Sequence, residues 1–374
     1  MHTVPVRTDR REYVMKKRLV AVFFAALLLL CAAGCSQTRE LTMHRNALVW
    51  EEEDGAEGYL VYDGETLLAE TQNTAVLLRT ESGERDISVY TSVEGEKGKL
   101  VGKATYVSAA YTQKTFSGSA ALADYLRDDG YYLYGAQHIV IDYDGFANSQ
   151  DNFAGVIYIA NDVMKLSFLS KKRVTVRADL VIQQRATDFE LELENIILQG
   201  AGKMPNAVAF DESVSAPQTD LVLSAYGVYN AIFCGYNAPN GAQGSGDGML
   251  QHAGNGGTGG AGGCAVSAAG LLLYTEGDMR FSGGNGGDGG DGGNASGLNN
   301  HGSGGNGGRG GDAIRCKTLE YFCVNGTLAA EGGIGGDGGA EGQGGFGVNR
   351  APGKKGSDGA GIAADETNVL RGEI

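Results

Sequence analysis

Glycine occupies two of every three positions in residues 283–293, whose sequence is GGNGGDGGDGG. The same GGX pattern, in which X is any third residue, returns as GGNGGRGG in residues 304–311. Glycine loses more conformational entropy on folding than any other residue and has no side chain to pack. A period of three matches the polyproline II helix, which has three residues per turn. We therefore expect polyglycine II helices that pack backbone to backbone, while X residues such as Asn285, Asp288 and Asp291 face solvent.

The glycine-rich runs belong to an internal repeat with a period of about 48 residues. Residues 262–290 align with residues 310–339 with one inserted residue, so that Leu271 meets Leu319. A third copy, GAGIAADETNVL, begins at Gly359. A fixed period of this length is typical of solenoid proteins, in which each repeat stacks on its neighbours. We predict that each unit is one β-helix rung followed by a glycine-rich excursion, and that residues 241–374 are built in this way.

Each excursion is expected to be a hairpin of two glycine-rich helices closed by a tip of mixed sequence. The predicted tips are residues 249–253, 294–303 and 346–355. At about 3.1 Å per residue, a run of glycine-rich sequence would hold its tip well away from the rung. The tips contain polar, aromatic and basic residues that suit sugar hydroxyls and ring faces, although they could also simply close the hairpins. The candidate ligand-binding residues are His252, Asn299, Asn300, His301, Phe346, Asn349, Arg350, Lys354 and Lys355.

Three other interpretations of the glycine-rich runs fit the sequence less well. A disordered linker fits the composition, but a strict GGX register that alternates with apolar segments disfavours it. Collagen is disfavoured because the X positions lack proline. Calcium-binding nonapeptide repeats need an aliphatic residue after the aspartate, whereas glycine follows both Asp288 and Asp291. Calcium binding at these two aspartates stays open.

The middle of the chain, residues 131–240, contains a series of short β-rich segments. One of them, FELELENIILQG at 189–200, alternates apolar and polar residues and resembles one coil of a right-handed parallel β-helix. The preceding residues, 111–130, include SGSAALADYLRDDG, which predicts a short helix with Ser119 as N-cap and Gly130 as the stop signal. Because solenoids need a cap on their open end, we expect this helix to supply it.

Residues 41–110 contain short alternating segments separated by Gly, Asp and Asn turns, which is typical of a small β-sandwich. The segment resembles a bacterial fibronectin type III domain, with Trp50 on the second strand and GAEGYLVY at 55–62 on the third. Ile87 and Val89 stand where that family often has a tyrosine. We expect Trp50 to be a core residue. The resemblance implies a spacer or weak binding module.

The N-terminus has the features of a secretory signal. Three basic residues follow Met15, residues 19–30 are apolar, and AAGC ends at Cys35. Twelve apolar residues are fewer than the roughly 20 that a membrane-spanning helix needs. AAGC resembles the lipobox of bacterial lipoproteins, which implies that residues 1–34 are removed, that Cys35 carries the lipid and that residues 35–40 form a linker. The expected location is the bacterial cell membrane, lipid-anchored and outside the cytoplasm.

The charge and the remaining cysteines exclude some classes of function. The formal net charge is −15, whereas nucleic-acid-binding proteins present a basic surface. Cys234, Cys264, Cys316 and Cys323 have the spacing of neither a disulfide framework nor a metal site, and we expect them to be buried as small apolar residues. The segment NAIFCG could be an upstream copy of the repeat, which would place Cys234 in the register of Cys316.

The chain carries few signs of an enzyme. Asp142, Asp144 and Asp151 are candidate carboxylates, since glycoside hydrolysis uses paired acids. The chain lacks HExxH, GxSxG and the short Asn, Asp, Gly and His motifs of polygalacturonases. We expect no catalytic residue, no metal and no cofactor, and predict a non-catalytic surface lipoprotein that binds a polysaccharide or cell-surface ligand. The alternatives are a β-helix polysaccharide lyase or glycoside hydrolase, and an ice-binding protein, for which a threonine-rich face is missing.

Overall fold

The computed structural model describes residues 39–79, 83–128, 132–146, 155–211, 219–247, 252–345 and 350–372. Strands account for 47% of the described residues and helices for 4%, which confirms the predicted all-β class. A parallel sheet of 15 strands dominates the structure, an arrangement compatible with a parallel β-helix. The predicted signal segment, Cys35 and Asp151 lie outside the described residues.

Two sheets form the N-terminal region. Its strands are β1 (Arg39–Glu40), β2 (Thr42–His44), β3 (Ala47–Val49), β4 (Gly58–Asp63), β5 (Thr66–Thr71), β6 (Ala75–Leu77), β7 (Gly83–Val93) and β8 (Glu96–Ser108). The larger sheet has the order β1-β8-β7-β4-β5, antiparallel except for the β1–β8 pair, and the smaller antiparallel sheet has the order β2-β3-β6. One core joins residues of both sheets and includes Trp50, which is 6% exposed and contacts the Tyr59 ring edge-on at 5.3 Å. Trp50 is therefore a core residue, as predicted.

The 15-stranded sheet is parallel at every pairing among the described residues. Its strands are β9 (Gln113–Phe116), β10 (Tyr132–Leu133), β11 (His138–Asp142), β12 (Gly155–Ile159), β13 (Lys165–Ile182), β14 (Phe189–Gln199), β15 (Val208–Phe210), β16 (Asp220–Tyr226), β17 (Tyr229–Phe233), β18 (Val266–Ser267), β19 (Gly270–Thr275), β20 (Asp278–Ser282), β21 (Ile314–Cys323), β22 (Leu328–Glu331) and β23 (Ile362–Arg371).

The pairings of this sheet fall into three series. The first runs β9-β11-β13-β14-β16-β19-β21-β23. The second runs β13-β14-β17-β20-β22. The third runs β10-β12-β13-β15-β18-β21-β23. The long strand β13 takes part in all three series, and β14, β21 and β23 each take part in two, so the same chain segment continues from one series to the next.

Apolar side chains from successive strands stack in the core. Phe189 pairs with Leu221, Leu221 with Leu271 and Leu271 with Leu319. All four are at most 1% exposed, so Leu271 and Leu319 are buried and in register, as the repeat predicts. Because strand side chains alternate between faces, only every second residue enters this core. Burying one such leucine contributes about 2 kcal/mol of hydrophobic free energy.

The predicted short helix is present as α1 (Ser119–Asp128). Leu122 and Leu126, one turn apart, are each 1% exposed and belong to the same core as the stacked strands. The Leu122 amide donates to the Gly118 carbonyl at 3.3 Å. Gly118 therefore takes the N-cap position that was predicted for Ser119, and Gly130 lies outside the described residues.

The N-terminal region packs on the outer face of the first series of strands. Ala47 and Leu77 share a buried cluster with Val222, Tyr226 and Phe322. Two ion pairs flank this contact, Arg45–Asp188 at 2.8 Å and Arg79–Glu194 at 2.5 Å. An apolar interface bounded by ion pairs holds this region in place against the parallel sheet.

Three glycine-rich excursions leave the sheet, at residues 235–263, 283–312 and 332–361. Their extended segments hydrogen-bond to one another, both within and between excursions. Gly257 N–H donates to Ala242 within the first excursion, Gly290 to Gly257 between the first and second, and Gly339 to Gly305 between the second and third, at 2.7–2.8 Å. The three excursions therefore form one hydrogen-bonded array, called here the glycine array.

One triplet of the second excursion shows how the backbone N–H groups are satisfied. Gly286 donates to the Ile334 carbonyl and Gly287 to the Gly260 carbonyl, each at 2.9 Å. The third donor, Asp288 N–H, bonds to the side-chain Oδ1 of Asn240 at 2.9 Å. Three neighbouring segments thus take the three donors of a single triplet.

The X residues form a side-chain ladder between excursions. Asn285 and Asp288 are exposed, as predicted. Their Oδ1 atoms accept the backbone N–H groups of Ile334 at 2.9 Å and Asp337 at 2.8 Å. Asp291 accepts from Ala340 in the same way. The sequence had predicted only solvent exposure at these positions, and the ladder explains why asparagine and aspartate are frequent there.

The assignment of NAIFCG as an upstream repeat copy in the register of Cys316 is wrong. Residues 229–233 pair with β20, and the Cys234 amide donates to the Ser282 carbonyl at 2.9 Å. Cys316 lies in β21 and pairs with Ala364. NAIFCG therefore belongs to a different series of strands. Cys264, Cys316 and Cys323 are buried free thiols, as expected, and Cys234 is half-buried.

Candidate functional site

The array carries most of the predicted binding residues at or near its far end. Seven of the nine candidates are described. Phe346 and Asn349 lie outside the described residues. The seven described candidates are His252, Asn299, Asn300, His301, Arg350, Lys354 and Lys355.

Hydrogen bonds join the tip of the second excursion to both of its neighbours. The Asn300 amide donates to Nδ1 of His252 at 3.0 Å, and Nδ1 of His301 donates to the Gly344 carbonyl at 3.2 Å. Asn299 Nδ2 donates to Asp247 at 3.1 Å. The structure thus brings four predicted residues onto one continuous surface, which we call the distal surface: Asp247, His252 and residues 296–301.

Asp247 anchors the turn of the second tip. Its Oδ2 accepts from the Ser296 amide at 2.6 Å and from the Ser296 hydroxyl at 2.8 Å. The hydrogen bond from the Ser296 backbone has the largest effect on the Asp247 carboxyl, and the bond from Asn299 has the next largest. Together these bonds hold the pKa of Asp247 below its ordinary value. The carboxylate therefore stays charged and keeps the tip tied to the first excursion. Asp247 was not among the predicted binding residues because it lies outside the predicted tips.

A single apolar side chain projects from the distal surface. Leu298 is 86% exposed and follows Gly297, whose φ of 59° lies in the left-handed region that favours glycine. The turn therefore presents Leu298 to solvent beside the asparagines. Leu298 is the one large apolar residue in the segment NASGLNNHGS. It was not among the binding residues predicted from the sequence.

The basic candidates are placed differently from the tip residues. Arg350, Lys354 and Lys355 are exposed. The Lys354 amide donates to Asn306 Oδ1 at 2.8 Å and its carbonyl accepts from Gly307 at 2.9 Å. Lys354 is therefore an X position within the glycine array, not a residue of the tip, because the paired backbone already begins before it.

The candidate catalytic carboxylates stabilise a turn. Asp142 accepts from the Asp144 amide at 3.0 Å and caps the 3₁₀-helix Tyr143–Gly145. Asp144 accepts from the Lys171 amide at 2.9 Å and from the Ser170 hydroxyl at 3.2 Å. Both side chains are therefore bonded to neighbouring backbone or hydroxyl groups, which is a structural role.

A polar cluster that the sequence analysis missed lies on the outer face of β11, β13 and β14. Ser167 Oγ lies 2.8 Å from His138 Nε2 and donates to Glu192 Oε2 at 2.7 Å. Lys165 pairs with the same carboxylate oxygen at 2.8 Å. Burial, aided by Lys165, lowers the pKa of His138 to about 4. Burial opposes the charged form of Glu192, but Lys165 and the Ser167 hydrogen bond hold the pKa of Glu192 below its ordinary value.

This cluster does not have the geometry of a hydrolytic triad. In a triad the histidine lies between the nucleophile and the acid, whereas here Ser167 lies between His138 and Glu192. Ser167 is also 0% exposed, so a substrate carbonyl could not reach its hydroxyl. The cluster instead satisfies a buried ion pair.

Within the described ranges, no group of three or more His, Cys, Asp or Glu residues could hold a metal ion. The helices of the described part of the chain are all too short or too polar to cross a membrane. Comparisons with protein-family models, curated proteins and solved structures find no match to this chain.

Proposed function

We propose that the protein is a non-catalytic, lipid-anchored surface protein whose distal surface binds a polysaccharide or another cell-surface partner. The observation that carries this proposal is the continuity of the distal surface across excursions. Hydrogen bonds between excursions hold Asp247, His252, Asn299 and His301 together at the end of an array whose three excursions are themselves joined by hydrogen bonds. A polar surface on a rigid support is how binding loops are usually displayed.

The proposed architecture is a right-handed parallel β-helix that carries stacked polyglycine II hairpins. Three series of parallel strands that share long strands support the β-helix. The three-residue period of hydrogen bonds in the array supports polyglycine II helices, because each turn of such a helix has three residues. Two sheets around one core support a fibronectin type III-like sandwich at the N-terminus.

The chemistry of the distal surface suits a carbohydrate. Because Nδ1 of His252 accepts a backbone N–H, the neutral ring carries its proton on Nε2, which is then a donor. Asp247 supplies an acceptor and Leu298 an exposed apolar contact. A sugar ring offers hydroxyls to the first two and apolar C–H faces to the third. The overall negative charge of the protein disfavours nucleic acid as the partner.

The distal surface can be tested with the chain from residue 37 onward on a glycan array and on cells. Replacing residues 296–301 with a Gly-Ser linker of equal length should abolish binding while the rest of the array stays folded. Leu298→Ser should weaken binding, whereas Val228→Ser, a matched control that is 78% exposed on a turn of the parallel sheet, should not. Binding that survives the replacement of residues 296–301 would place the ligand elsewhere, and release of reducing sugars would favour a polysaccharide-degrading enzyme.

The proposed anchor has a separate test. Cys35→Ser should abolish labelling of the protein with palmitate and release it from the membrane, since this cysteine follows the apolar segment of the signal. Unchanged labelling would contradict the lipid anchor without affecting the proposal for the distal surface.

A further inference from the structure

Each glycine-rich excursion has two arms, and the arms of successive excursions pack on one another in a fixed order. We call the segment that leaves the sheet the outgoing arm and the segment that comes back to it the return arm. The return arms are residues 252–263, 302–312 and 350–361. The first return arm lies against the second outgoing arm, because a Cβ atom added to Gly259 would collide with the Gly287 carbonyl oxygen. In the same way, Gly307 of the second return arm lies against Gly336 of the third outgoing arm.

The return-arm positions that make this contact are glycine in the first two excursions. A Cβ atom at any of them would collide with a backbone carbonyl oxygen of the next outgoing arm. These positions are Gly256, Gly259 and Gly262 in the first excursion and Gly304, Gly307 and Gly310 in the second. Backbones can approach this closely only where there is no side chain.

The equivalent positions of the third return arm are not glycine. The two return arms are offset by 48 residues, since Asn306 Oδ1 accepts from the Lys354 amide at 2.8 Å. The residues 48 positions after Gly304, Gly307 and Gly310 are Pro352, Lys355 and Asp358, and all three are exposed. The glycines between them, Gly353, Gly356 and Gly359, pack on the second return arm. Glycine is therefore lost only on the face of this arm that no other described excursion covers.

The first excursion shows the same replacement on the opposite face of the array. In the second and third excursions, Gly287 and Gly336 pack on carbonyl groups of the preceding outgoing arm. No described excursion precedes the first. The residues 48 positions before Gly287, Gly290 and Gly293 are Pro239, Ala242 and Ser245, which are exposed. Two independent faces thus follow one rule, which is that glycine occurs where another arm packs and gives way to a side chain where none does.

Asp358 and Pro352 also remove hydrogen-bond donors from the outer face of the third excursion. Gly286 N–H donates to the Ile334 carbonyl of the next excursion at 2.9 Å. Its counterpart 49 residues later, Gly335, donates instead to Asp358 Oδ1 of its own excursion at 2.9 Å. Pro352 has no N–H to offer. A second chain that approaches this face would find fewer donors than the inner excursions present.

We propose that the third excursion terminates the glycine array and prevents a second copy of this chain from stacking its own array on the same face. An open edge of backbone donors and acceptors is a template for pairing with another chain, and proteins block such edges with proline and charged residues, lysine above all. Pro352, Lys355 and Asp358 are residues of these kinds, and they occupy the contact positions. Two copies that met through this one face would form a closed dimer, and the three side chains exclude it. This inference does not depend on the ligand of the distal surface.

Restoring glycine at the three positions tests the proposal. The triple variant Pro352→Gly, Lys355→Gly and Asp358→Gly is compared with the unmodified protein by analytical ultracentrifugation at up to about 100 μM, using the chain from residue 37 onward, which keeps every described residue. The unmodified protein should remain a monomer, and the triple variant should dimerise, so that its mass about doubles as the concentration rises. A matched control, Ala351→Gly, Lys354→Gly and Ser357→Gly, changes three exposed residues of the same arm that lie outside the contact positions, and it should remain a monomer.

Three results would overturn the proposal. They are self-association of the unmodified protein, a folded triple variant that remains a monomer, and equal self-association of the triple variant and its control. Hydrogen exchange of residues 332–343 shows whether the third excursion stays folded. If the triple variant loses this protection, the double variant Lys355→Gly and Asp358→Gly, which keeps the proline, decides the outcome by the same measurement.

Discussion

Adding one methyl group to a glycine of the array should lower the stability of the protein at one position and leave it unchanged or slightly raise it at another. At Gly287 a Cβ atom would lie 2.1 Å from the Pro239 carbonyl oxygen. Ordinary contact begins near 3.4 Å, so the neighbouring segment would have to move by the difference, about 1.3 Å. At Gly246 a Cβ would meet nothing within 4 Å, and its φ lies outside the left-handed region. Gly287→Ala and Gly246→Ala are therefore a matched pair.

The expected magnitude follows from the contacts at Gly287. The displacement would break the bond from Gly260 N–H to the Pro239 carbonyl at 2.7 Å and the bond from Gly287 N–H to the Gly260 carbonyl at 2.9 Å. Two hydrogen bonds contribute about 1 kcal/mol each, and overpacking adds about 1–3 kcal/mol. Gly287→Ala should therefore lower the free energy of unfolding by about 3–5 kcal/mol, whereas Gly246→Ala should be neutral or stabilise by about 0.4–1 kcal/mol.

Urea unfolding and hydrogen exchange together measure this difference. Because the N-terminal region and the array need not unfold together, exchange of peptides from residues 252–263 and 283–312 reports on the array directly. In Gly287→Ala these peptides should lose protection, and in Gly246→Ala they should keep it. Equal stability of the two variants, within about 0.5 kcal/mol, would refute close packing between the glycine backbones.

Three further outcomes are expected. Leu319→Asp would bury an unpaired charge at a position that is 1% exposed. It should lower the free energy of unfolding by several kcal/mol and remove hydrogen-exchange protection from residues 262–340. Retained protection would contradict the stacked core. Asn285→Ala removes the acceptor for Ile334 N–H at 2.9 Å and should lower the free energy of unfolding in urea by about 0.5–1.5 kcal/mol. This effect should be clearly smaller than that of Gly287→Ala, and an equally large effect would contradict the ladder. The pKa of His138 falls from 6.5 to about 4 on folding, so the unfolded chain binds more protons than the folded chain between these pH values. Thermal stability should therefore decline as the pH is lowered through that window. A His138→Gln variant with the same decline would contradict this cause.

The local part of the fold could be predicted because its pattern repeats along the chain. Burial of Leu271 and Leu319 follows from a 48-residue alignment, and the solvent exposure of Asn285 follows from a three-residue period. The short segment NAIFCG was misplaced because several strands of each rung share a similar apolar pattern. The pairing of residues 229–233 with β20 and the hydrogen bond from Cys234 N–H to the Ser282 carbonyl distinguish them.

The contact between the N-terminal region and the parallel sheet could not be predicted, for a different reason. Asn46 and Tyr226 are 180 positions apart, and their hydrogen bond depends on how the N-terminal region packs against the parallel sheet. No periodicity connects the two residues. The distal surface lies between these cases, because the tips could be located from the sequence, whereas the contact of Asp247 with Ser296 depends on the stacking of separate excursions.

The ladder of X residues makes the size of the array adjustable along two independent directions. The Oδ1 atoms of Asn240, Asn285 and Asp288 accept from the excursion one repeat later, 48 or 49 residues on. A further unit with the same acceptors would therefore add a layer about 4.8 Å thick and keep these contacts of its neighbours. A further GGX triplet in every segment would instead move the distal end outward by about 9 Å. Gene duplication of whole units and slippage within glycine codons would therefore change the breadth and the reach of the protein separately, without a new solution to the packing of its core.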